Sequence, residues 1–270
     1  MNPNKALWEK GDFTKIAATM RTSGEALVAS FGPLRGLKVL DLGCGDGTTA
    51  IPAARSDAQV LGVDIATPLV AAGNRRARAE GLANLSFQEG DAAQLEGLAD
   101  QSFDLVVSIF GAMFAPRPLD VAREMVRVTR PGGRIVMGNW IPGDPTLVAQ
   151  ILKISAAHAP PPPEGFISPM TWGMEDNVIE RFEAAGRGRD AITFATDIYT
   201  FEFNGTPAAF VDVFRTFYGP TMNAFESAER LGSGEDLRRE LEALFAGENI
   251  SASADRTTIA ARFLNVSINV

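Results

Sequence analysis

Between Leu37 and Trp140 the sequence alternates short, apolar, β-branched runs with longer stretches of helical spacing. Two parallel strands need a long connection between them, so this alternation is typical of a parallel sheet with right-handed crossover helices. Several runs are almost wholly apolar, as strands covered by helices on both faces must be. We therefore predict a doubly wound α/β core. Its strands are expected at residues 38–42, 59–65, 85–89, 103–110 and 134–139.

Start and stop signals place the helices of this core. Thr67 has the form of a helix N-cap, and Pro68 follows at the first helical position of a helix that we expect to end at Gly81. The run RPGG at residues 130–133 predicts the stop of a later helix and a turn into the fifth strand.

The flanking sequence is less regular. Residues 5–31 indicate one or two helices, and the four prolines at residues 160–163 predict a short extended connector. Beyond them we expect helices over residues 175–185 and 237–245, and strands over residues 191–203 and 259–270.

Charge and hydropathy limit the partners. The chain has 25 Lys and Arg residues against 33 Asp and Glu residues, a formal charge of −8. This field repels polyanions, so we expect no nucleic acid and no anionic membrane as a partner. No run approaches the roughly 18 apolar residues that span a bilayer, and the first ten residues hold no apolar secretion segment. We therefore predict a cytoplasmic protein.

Cys44 and His158 are the only residues of their kinds. A single cysteine excludes an internal disulfide and a thiolate metal cluster, and a single histidine excludes a histidine-based metal site. We predict no metal site.

The strongest local signal is the run VLDLGCGDG, residues 39–47, in which a buried strand enters a loop. Glycine occupies three alternate positions, Gly43, Gly45 and Gly47. A tight turn needs one glycine at most, whereas glycine without a Cβ also lets a ligand approach the backbone. Three glycines therefore predict a ligand at this loop.

Asp64 ends the second strand, 21 residues after Gly43. A doubly wound fold places a carboxylate here to accept hydrogen bonds from ribose hydroxyls. The alternative is that Asp64 caps the next helix, but Thr67 is better placed for that. We therefore expect a nucleoside ligand.

Two nucleoside cofactors compete at this point, a dinucleotide and S-adenosylmethionine. The dinucleotide fingerprint is G-x-G-x-x-G, but here the third glycine comes one residue early. Asp41 and Asp46 would also set carboxylates beside a pyrophosphate, whereas a sulfonium and an ammonium are attracted to them. The loop favours S-adenosylmethionine.

Five motifs in order make residues 37–140 resemble the class I S-adenosylmethionine-dependent methyltransferases. They are the glycine loop, Asp64, the run GDA at residues 90–92, the run FDLVVS at residues 103–108 and the run RPGGRI at residues 130–135. The resemblance implies that Asp41, Gly43, Cys44 and Gly45 bind the methionine part of the cofactor, Asp64 the ribose, Ile65, Asp91 and Ala92 the adenine, and that Ser108 and Phe110 complete the cofactor site.

The resemblance also implies a Rossmann-like, seven-stranded, mostly parallel sheet with an antiparallel edge strand. Residues 191–203 and 259–270 would form the antiparallel pair at one edge. Residues 1–36 would be an N-terminal helical lid on a methyltransferase domain of residues 37–270. Insertions at about residues 141–172 and 205–251 would cover the substrate site.

Residues 8–13 and 110–116 look most like the subgroup of methyltransferase type 11-like enzymes that C-methylate quinones and sterols. We therefore expect a small-molecule acceptor, apolar or aromatic, methylated by in-line displacement. The side chains expected in or near an apolar acceptor pocket are Phe110, Met113, Phe114, Phe166, Met170, Trp172, Phe214, Phe217 and Tyr218, although the cores of inserted helices would also use such residues.

A general base is optional in methyl transfer because the sulfonium is already an excellent leaving group. His158, Tyr199, Tyr218 and Asn139 are candidates by residue type, and the sequence selects none of them. Two alternatives stay open, a nicotinamide-dependent oxidoreductase and a non-catalytic nucleoside-binding sensor.

Overall fold

The computed structural model describes residues 4–162 and 164–270. Residues 1–3 of the expected lid and Pro163 of the proline connector lie outside this part of the chain. The described part contains seven strands: β1 (Lys38–Leu42), β2 (Gln59–Asp64), β3 (Leu85–Glu89), β4 (Phe103–Ile109), β5 (Thr129–Trp140), β6 (Ile192–Phe203) and β7 (Thr257–Asn269).

All seven strands form one sheet in the order β3-β2-β1-β4-β5-β7-β6. The first five are parallel to one another, while β7 is antiparallel to both β5 and β6. The predicted fold class and the antiparallel pair are confirmed. One detail differs, since the reversed strand β7 lies one position inside the edge, and the edge strand β6 runs in the same direction as β5.

The helices are α1 (Lys5–Glu9), α2 (Thr14–Ala17), α3 (Arg21–Ala29), α4 (Ala50–Arg55), α5 (Thr67–Ala79), α6 (Pro118–Val128), α7 (Leu147–Ala157), α8 (Glu175–Glu183), α9 (Pro207–Phe217), α10 (Gly219–Arg230) and α11 (Gly234–Glu248). Helix α5 packs against β2 and β3, α6 against β5, and α3 against β6. Nearly continuous apolar strands are thereby buried between helices, as the sequence predicted.

The start of β5 was placed too late. The run at residues 130–133 was expected to be a turn, but β5 already begins at Thr129. The amide of Gly132 donates to the carbonyl of Val270 at 2.6 Å, and the amide of Val270 donates to the carbonyl of Gly133 at 3.0 Å. Pairing with the far end of the chain therefore extends the strand through sequence that reads locally as a turn.

Residues 4–29, called the N-terminal segment below, are anchored on α9, α10 and β6. Gly11 and Tyr218 form an isolated β-bridge. A Cβ on Gly219 would lie 2.2 Å from the carbonyl oxygen of Leu7, so only glycine admits this close approach. Ser23 Oγ donates to the carbonyl of the β6 residue Thr200 at 3.0 Å. The segment is thus held by contacts more than a hundred residues away in sequence.

Within residues 4–162 and 164–270, no helix combines the length and the apolar character that crossing a bilayer requires.

Candidate active site

A cleft opens at the carboxyl ends of β1 to β4. Strand β1 lies between β2 and β4, so the strand order reverses there, which is where open α/β sheets bind ligands. The cleft holds about 960 Å³ when the open solvent at its mouth is counted. Nine of the ten predicted site residues line it: Asp41, Gly43, Cys44, Gly45, Asp64, Ile65, Asp91, Ala92 and Phe110.

The loop after β1 contacts the loop after β4 through the backbone atoms of two glycines. Gly43 has φ +71°, and a Cβ on it would lie 2.6 Å from Cα of Gly111. A Cβ on Gly47 would lie 2.7 Å from the ring of Phe87. At Gly45, by contrast, the nearest atoms belong to a ring 3.8 Å away across the cleft. We expected all three glycines to make room for a ligand, but Gly43 and Gly47 are required by packing within the protein.

The Asp64 carboxylate is fixed by two backbone amides. Its Oδ2 accepts from Gly45 N at 2.8 Å, and its Oδ1 accepts from Ala66 N at 2.9 Å. Burial raises the pKa of Asp64, and these two hydrogen bonds oppose the rise. Thr67 was wrongly expected to be the N-cap of α5, because Ala66 is the cap residue and the Thr67 hydroxyl donates to Glu89 Oε2 at 2.5 Å. Asp64 therefore links the glycine loop to the start of α5.

Asp41 lines the cleft and carries a buried side-chain oxygen. Its side chain is 2% exposed, and Oδ2 has no hydrogen-bond partner among the described residues. Burial, together with the charge of Asp64, raises the pKa of Asp41 to about 7, against the opposing hydrogen bond from the backbone of Ala50. A cationic group in the cleft would stabilise this carboxylate.

Asp46 lies in the same loop but is already paired. Its Oδ2 is 3.0 Å from Arg21 Nη2 and 3.3 Å from Arg76 Nη1. Arg76 also donates to the Asp46 carbonyl at 2.6 Å. We expected a cationic ligand to be attracted to both Asp41 and Asp46, but two guanidinium groups balance Asp46, which leaves Asp41 as the stronger candidate.

Ser108 is the predicted site residue that does not line the cleft. Its buried hydroxyl donates to the carbonyl of Leu42 at 2.7 Å and accepts from Ala112 N at 2.9 Å. It therefore joins the end of β1 to the loop after β4, and both of these bonds are within the protein.

Phe110 follows β4 directly and has φ +61°, a left-handed conformation that is uncommon for a bulky residue. Its amide donates to the carbonyl of Gly138 at 2.9 Å. Its ring stacks on Trp140 with 3.6 Å between centroids and meets the edges of Tyr199 and Phe263 at 5.0 and 5.2 Å. Packing on three rings holds this backbone outlier at the cleft, where such strain is commonly found.

The outer side of the cleft is formed by the N-terminal segment. Its lining residues there include Trp8, Phe13, Ala17 and Met20. The Trp8 ring lies 4.9 Å from Phe114 and 5.8 Å from Phe13, both at steep angles. The sequence analysis placed residues 8–13 in the expected N-terminal lid but named neither Trp8 nor Phe13 as a site residue. Their spacing alone gives no sign of this position.

The inserted helices lie outside the lining of the cleft. No described residue of 141–172 or 205–251 lines it, and α9 and α10 instead pack behind the N-terminal segment. Of the side chains expected in an acceptor pocket, only Phe110 and Phe114 line the cleft. Trp172 and Phe214 are buried in the protein interior, and Phe166 is exposed on the surface.

Comparisons with known proteins identify the family. A methyltransferase domain model matches residues 40–137. Uncharacterized protein Rv1403c of Mycobacterium tuberculosis is 35% identical over 231 residues, which cover 83% of this chain and 80% of the relative. Demethylmenaquinone methyltransferase of Beutenbergia cavernae is 38% identical over 115 residues, which cover 43% of this chain and 45% of the relative. The chain belongs to the class I S-adenosylmethionine-dependent methyltransferases.

Solved structures share the fold of this methyltransferase. YcgJ of Bacillus subtilis has a TM-score of 0.58 at 18% identity, over 91% of this chain and 97% of that protein. An N-methyltransferase of Haemonchus contortus, solved with S-adenosylhomocysteine, has a TM-score of 0.53 at 18% identity, over 92% of this chain and 52% of that one. The family assignment decides against the nicotinamide and sensor alternatives, and S-adenosylmethionine is the cofactor.

The residues of the cleft fit this cofactor. The unpartnered Oδ2 of Asp41 suits a cationic ligand, and a Cβ at Gly45 would meet only the Phe13 ring, at van der Waals distance. Among the described residues, no cluster of three or more histidine, cysteine or carboxylate side chains is arranged to hold a metal ion.

The four candidate general bases of the methyltransferase differ in where they lie relative to the cleft. His158 lies outside the cleft, with Nδ1 3.0 Å from Ser233 Oγ and Nε2 3.0 Å from Glu240 Oε1. Tyr199 lines the cleft, but burial raises its pKa above the ordinary value of 10, so its phenol stays protonated near pH 7. Tyr218 and Asn139 are buried outside the lining. Tyr199 is therefore suited to donate a hydrogen bond rather than to remove a proton.

Proposed function

We propose that this methyltransferase transfers a methyl group to a small, apolar acceptor that carries an aromatic ring. When bound, the cofactor supplies an electrophilic methyl group on a positively charged sulfur. The single observation that supports the acceptor class is the aromatic half of the cleft, where Trp8, Phe13, Phe110, Phe114 and Tyr199 face one space. The name of the Beutenbergia relative, demethylmenaquinone methyltransferase, supports an acceptor of this kind.

The proposed work of the protein is positioning and water exclusion. Asp41 holds the cationic amino group of the cofactor, Asp64 accepts from ribose hydroxyls through the remaining lone pairs of its oxygens, and Ile65 and the Asp91 loop contact the adenine. The aromatic half orients the acceptor in line with the transferred methyl group and excludes water. The N-terminal segment acts as a lid that completes this half of the cleft.

We expect Asp64→Ala to weaken S-adenosylmethionine binding by roughly 1–3 kcal/mol, because a buried charged hydrogen-bond acceptor is lost. Titration calorimetry measures the effect. Asp100→Ala is the matched control, since Asp100 is exposed and bonds to Arg127 far from the cleft. Asp64→Asn, which keeps one acceptor oxygen, should fall between the two. Unchanged affinity in Asp64→Ala would remove the ribose role.

A screen with labelled cofactor against quinols, phenols, fatty acids and small amines tests the acceptor class. For an acceptor found in this way, we expect Trp8→Ala to raise KM by about 10- to 100-fold, because aromatic contact and apolar burial are lost. Affinity for S-adenosylhomocysteine should change by less than about threefold. Phe166→Ala, at an exposed ring outside the cleft, is the control. Turnover of only linear, ring-free acceptors would contradict the proposal.

A further inference from the structure

The amino-acid end of the cofactor brings a carboxylate into a cleft that offers it no cationic partner. This end of S-adenosylmethionine carries an ammonium and a carboxylate on one carbon atom. Among the residues that the structure describes, no lysine, arginine or histidine lines the cleft. A buried carboxylate is costly unless hydrogen bonds satisfy it, so a neutral donor of the lining has to meet this group.

Asp41 restricts where this donor must lie. Its Oδ2 is the buried oxygen to which the proposed function assigns the ammonium. Because one carbon atom bears both charged groups, a ligand held in this way presents its carboxylate beside Asp41. The donor therefore has to lie near Asp41 and has to keep its proton next to that negative charge.

Tyr199 meets both conditions. It lines the cleft from β6, and burial, followed by the charge of Asp41, raises the pKa of its phenol above the ordinary value of 10. The phenol therefore keeps its proton at neutral pH. Asp41 Oδ2 has no hydrogen-bond partner within the described part of the chain, so the phenol proton is not used on that oxygen.

The Tyr199 hydroxyl lies beside the loop after β1. A Cβ on Gly24 would lie 3.0 Å from Tyr199 Oη and 2.6 Å from Thr48 Cγ2, so α3 meets the phenol and this loop at one point. The ring packs edge to face with Phe110 and Phe263, whose centroids are 5.0 and 6.1 Å away. A donor whose ring is already fixed loses little conformational entropy when a ligand binds.

Other donors near this point are less suited. Thr48 and Thr49 also line the cleft, but an aliphatic hydroxyl is a weaker acid than a phenol and a weaker hydrogen-bond donor. Arg21 has a buried Nε without a hydrogen-bond partner among the described residues. It does not line the cleft, however, and its Nη2 lies 3.0 Å from Asp46 Oδ2.

Resting on the proposed role of Asp41, we propose that the Tyr199 hydroxyl donates a hydrogen bond to the carboxylate of the cofactor. Asp41 and Tyr199 then hold the two charged groups of its amino-acid end. Tyr199 is thus a cofactor-binding residue from the edge strand β6, although the other proposed cofactor contacts follow β1, β2 and β3. Its ring remains part of the aromatic half of the cleft.

Tyr199→Phe measures this contact when it is titrated with S-adenosylhomocysteine and with the analogue that lacks the carboxylate. By calorimetry we expect about 10- to 100-fold weaker binding of S-adenosylhomocysteine, because a hydrogen bond to a charged group is lost. The decarboxylated analogue should bind within about threefold of its wild-type affinity, since general effects on the cleft cancel in such a cycle. Tyr218→Phe removes the same atom from a buried tyrosine outside the lining and should change neither affinity.

Two results with Tyr199→Phe would overturn the proposal, namely equal weakening of both ligands and no weakening of either. Arg21→Gln tests the competing donor and should not weaken S-adenosylhomocysteine more than the decarboxylated analogue. If the loss confined to S-adenosylhomocysteine occurs in Arg21→Gln and not in Tyr199→Phe, the guanidinium holds the carboxylate and the proposal is wrong.

Failure of the proposed function has a different signature. A second analogue, which keeps the carboxylate but lacks the amino group, should bind the wild type at least about tenfold more weakly than S-adenosylhomocysteine. If it binds equally well while Tyr199→Phe keeps its selective loss, the role of Asp41 is wrong and the Tyr199 contact stands. Turnover of only ring-free acceptors would contradict the acceptor class without affecting this contact.

Discussion

Gly111→Ala is expected to destabilise the protein severely and to abolish cofactor binding. The new Cβ would lie 2.3 Å from the carbonyl oxygen of Gly43 and 2.6 Å from its Cα, and both are backbone atoms that no rotamer change can remove. Gly111 itself has φ −92°, which any residue adopts, so the requirement is purely steric. The loops after β1 and β4 would have to separate, which opens the crevice where the strand order reverses.

Overpacking of a tight contact costs about 3 kcal/mol or more when the partners cannot relax. For a chain of this size that corresponds to a fall of roughly 6–12 °C in Tm. Calorimetric melting and titration with S-adenosylhomocysteine measure the two effects. Gly247→Ala is the control, because Gly247 is exposed in α11, a Cβ added there would meet no atom within 4 Å, and alanine should raise helix stability slightly. If Gly111→Ala kept the wild-type Tm and the wild-type affinity, the steric requirement for glycine at this contact would be wrong.

Asp41→Asn is expected to change stability and binding in opposite directions. The folded pKa of Asp41 is raised from 3.8 to about 7, so the stability associated with its protonated form is complete below pH 3.8 and is lost as the pH rises through 7. Asparagine keeps the shape without the charge. The variant should therefore be more stable than the wild type at pH 8, by up to about 4 kcal/mol from the shift of the pKa, and the difference should shrink toward pH 4.

The same substitution should weaken S-adenosylmethionine binding at pH 8 by about 1.5–3 kcal/mol, because a charged hydrogen bond to the amino group is lost. Wild-type binding should also release part of a proton near pH 7, since a cation favours the ionised form of Asp41. Calorimetry in two buffers of different ionisation enthalpy measures that release. A variant that is less stable at pH 8 and binds normally would show that Asp41 serves only the fold.

The sequence predicted the core well because its signals are local. Strands β1 and β3 have the expected bounds, and β2 and β4 end one residue early. A buried parallel strand needs a short apolar run, which is visible without knowledge of its neighbours. The start of β5 was missed because residues 130–133 become strand only through pairing with Val270, which the local sequence does not encode.

The residues of the candidate site were predictable where their positions follow from the strand topology. Residues at the ends of strands, such as Asp41 and Asp64, follow from topology, because parallel strands bring their carboxyl ends to one edge. The lid was expected as a segment, but the individual positions of Trp8 and Phe13 were not predictable, since they depend on the bridge between Gly11 and Tyr218. The packing role of Gly43 was also not predictable, because the residue that it contacts, Gly111, lies in another loop.

The position of β7 in the sheet affects the order in which the strands can pair while the chain is being synthesised. This strand, Thr257–Asn269, is made after all the others, yet it fills the slot between β5 and β6. Until it emerges, β5 has one open edge and β6 has no partner in the sheet, although the crevice between β1 and β4 needs neither. We therefore expect the nascent chain to assemble strands β1 to β5 first. Until β7 is inserted, the unpaired edges of β5 and β6 leave the chain prone to aggregation.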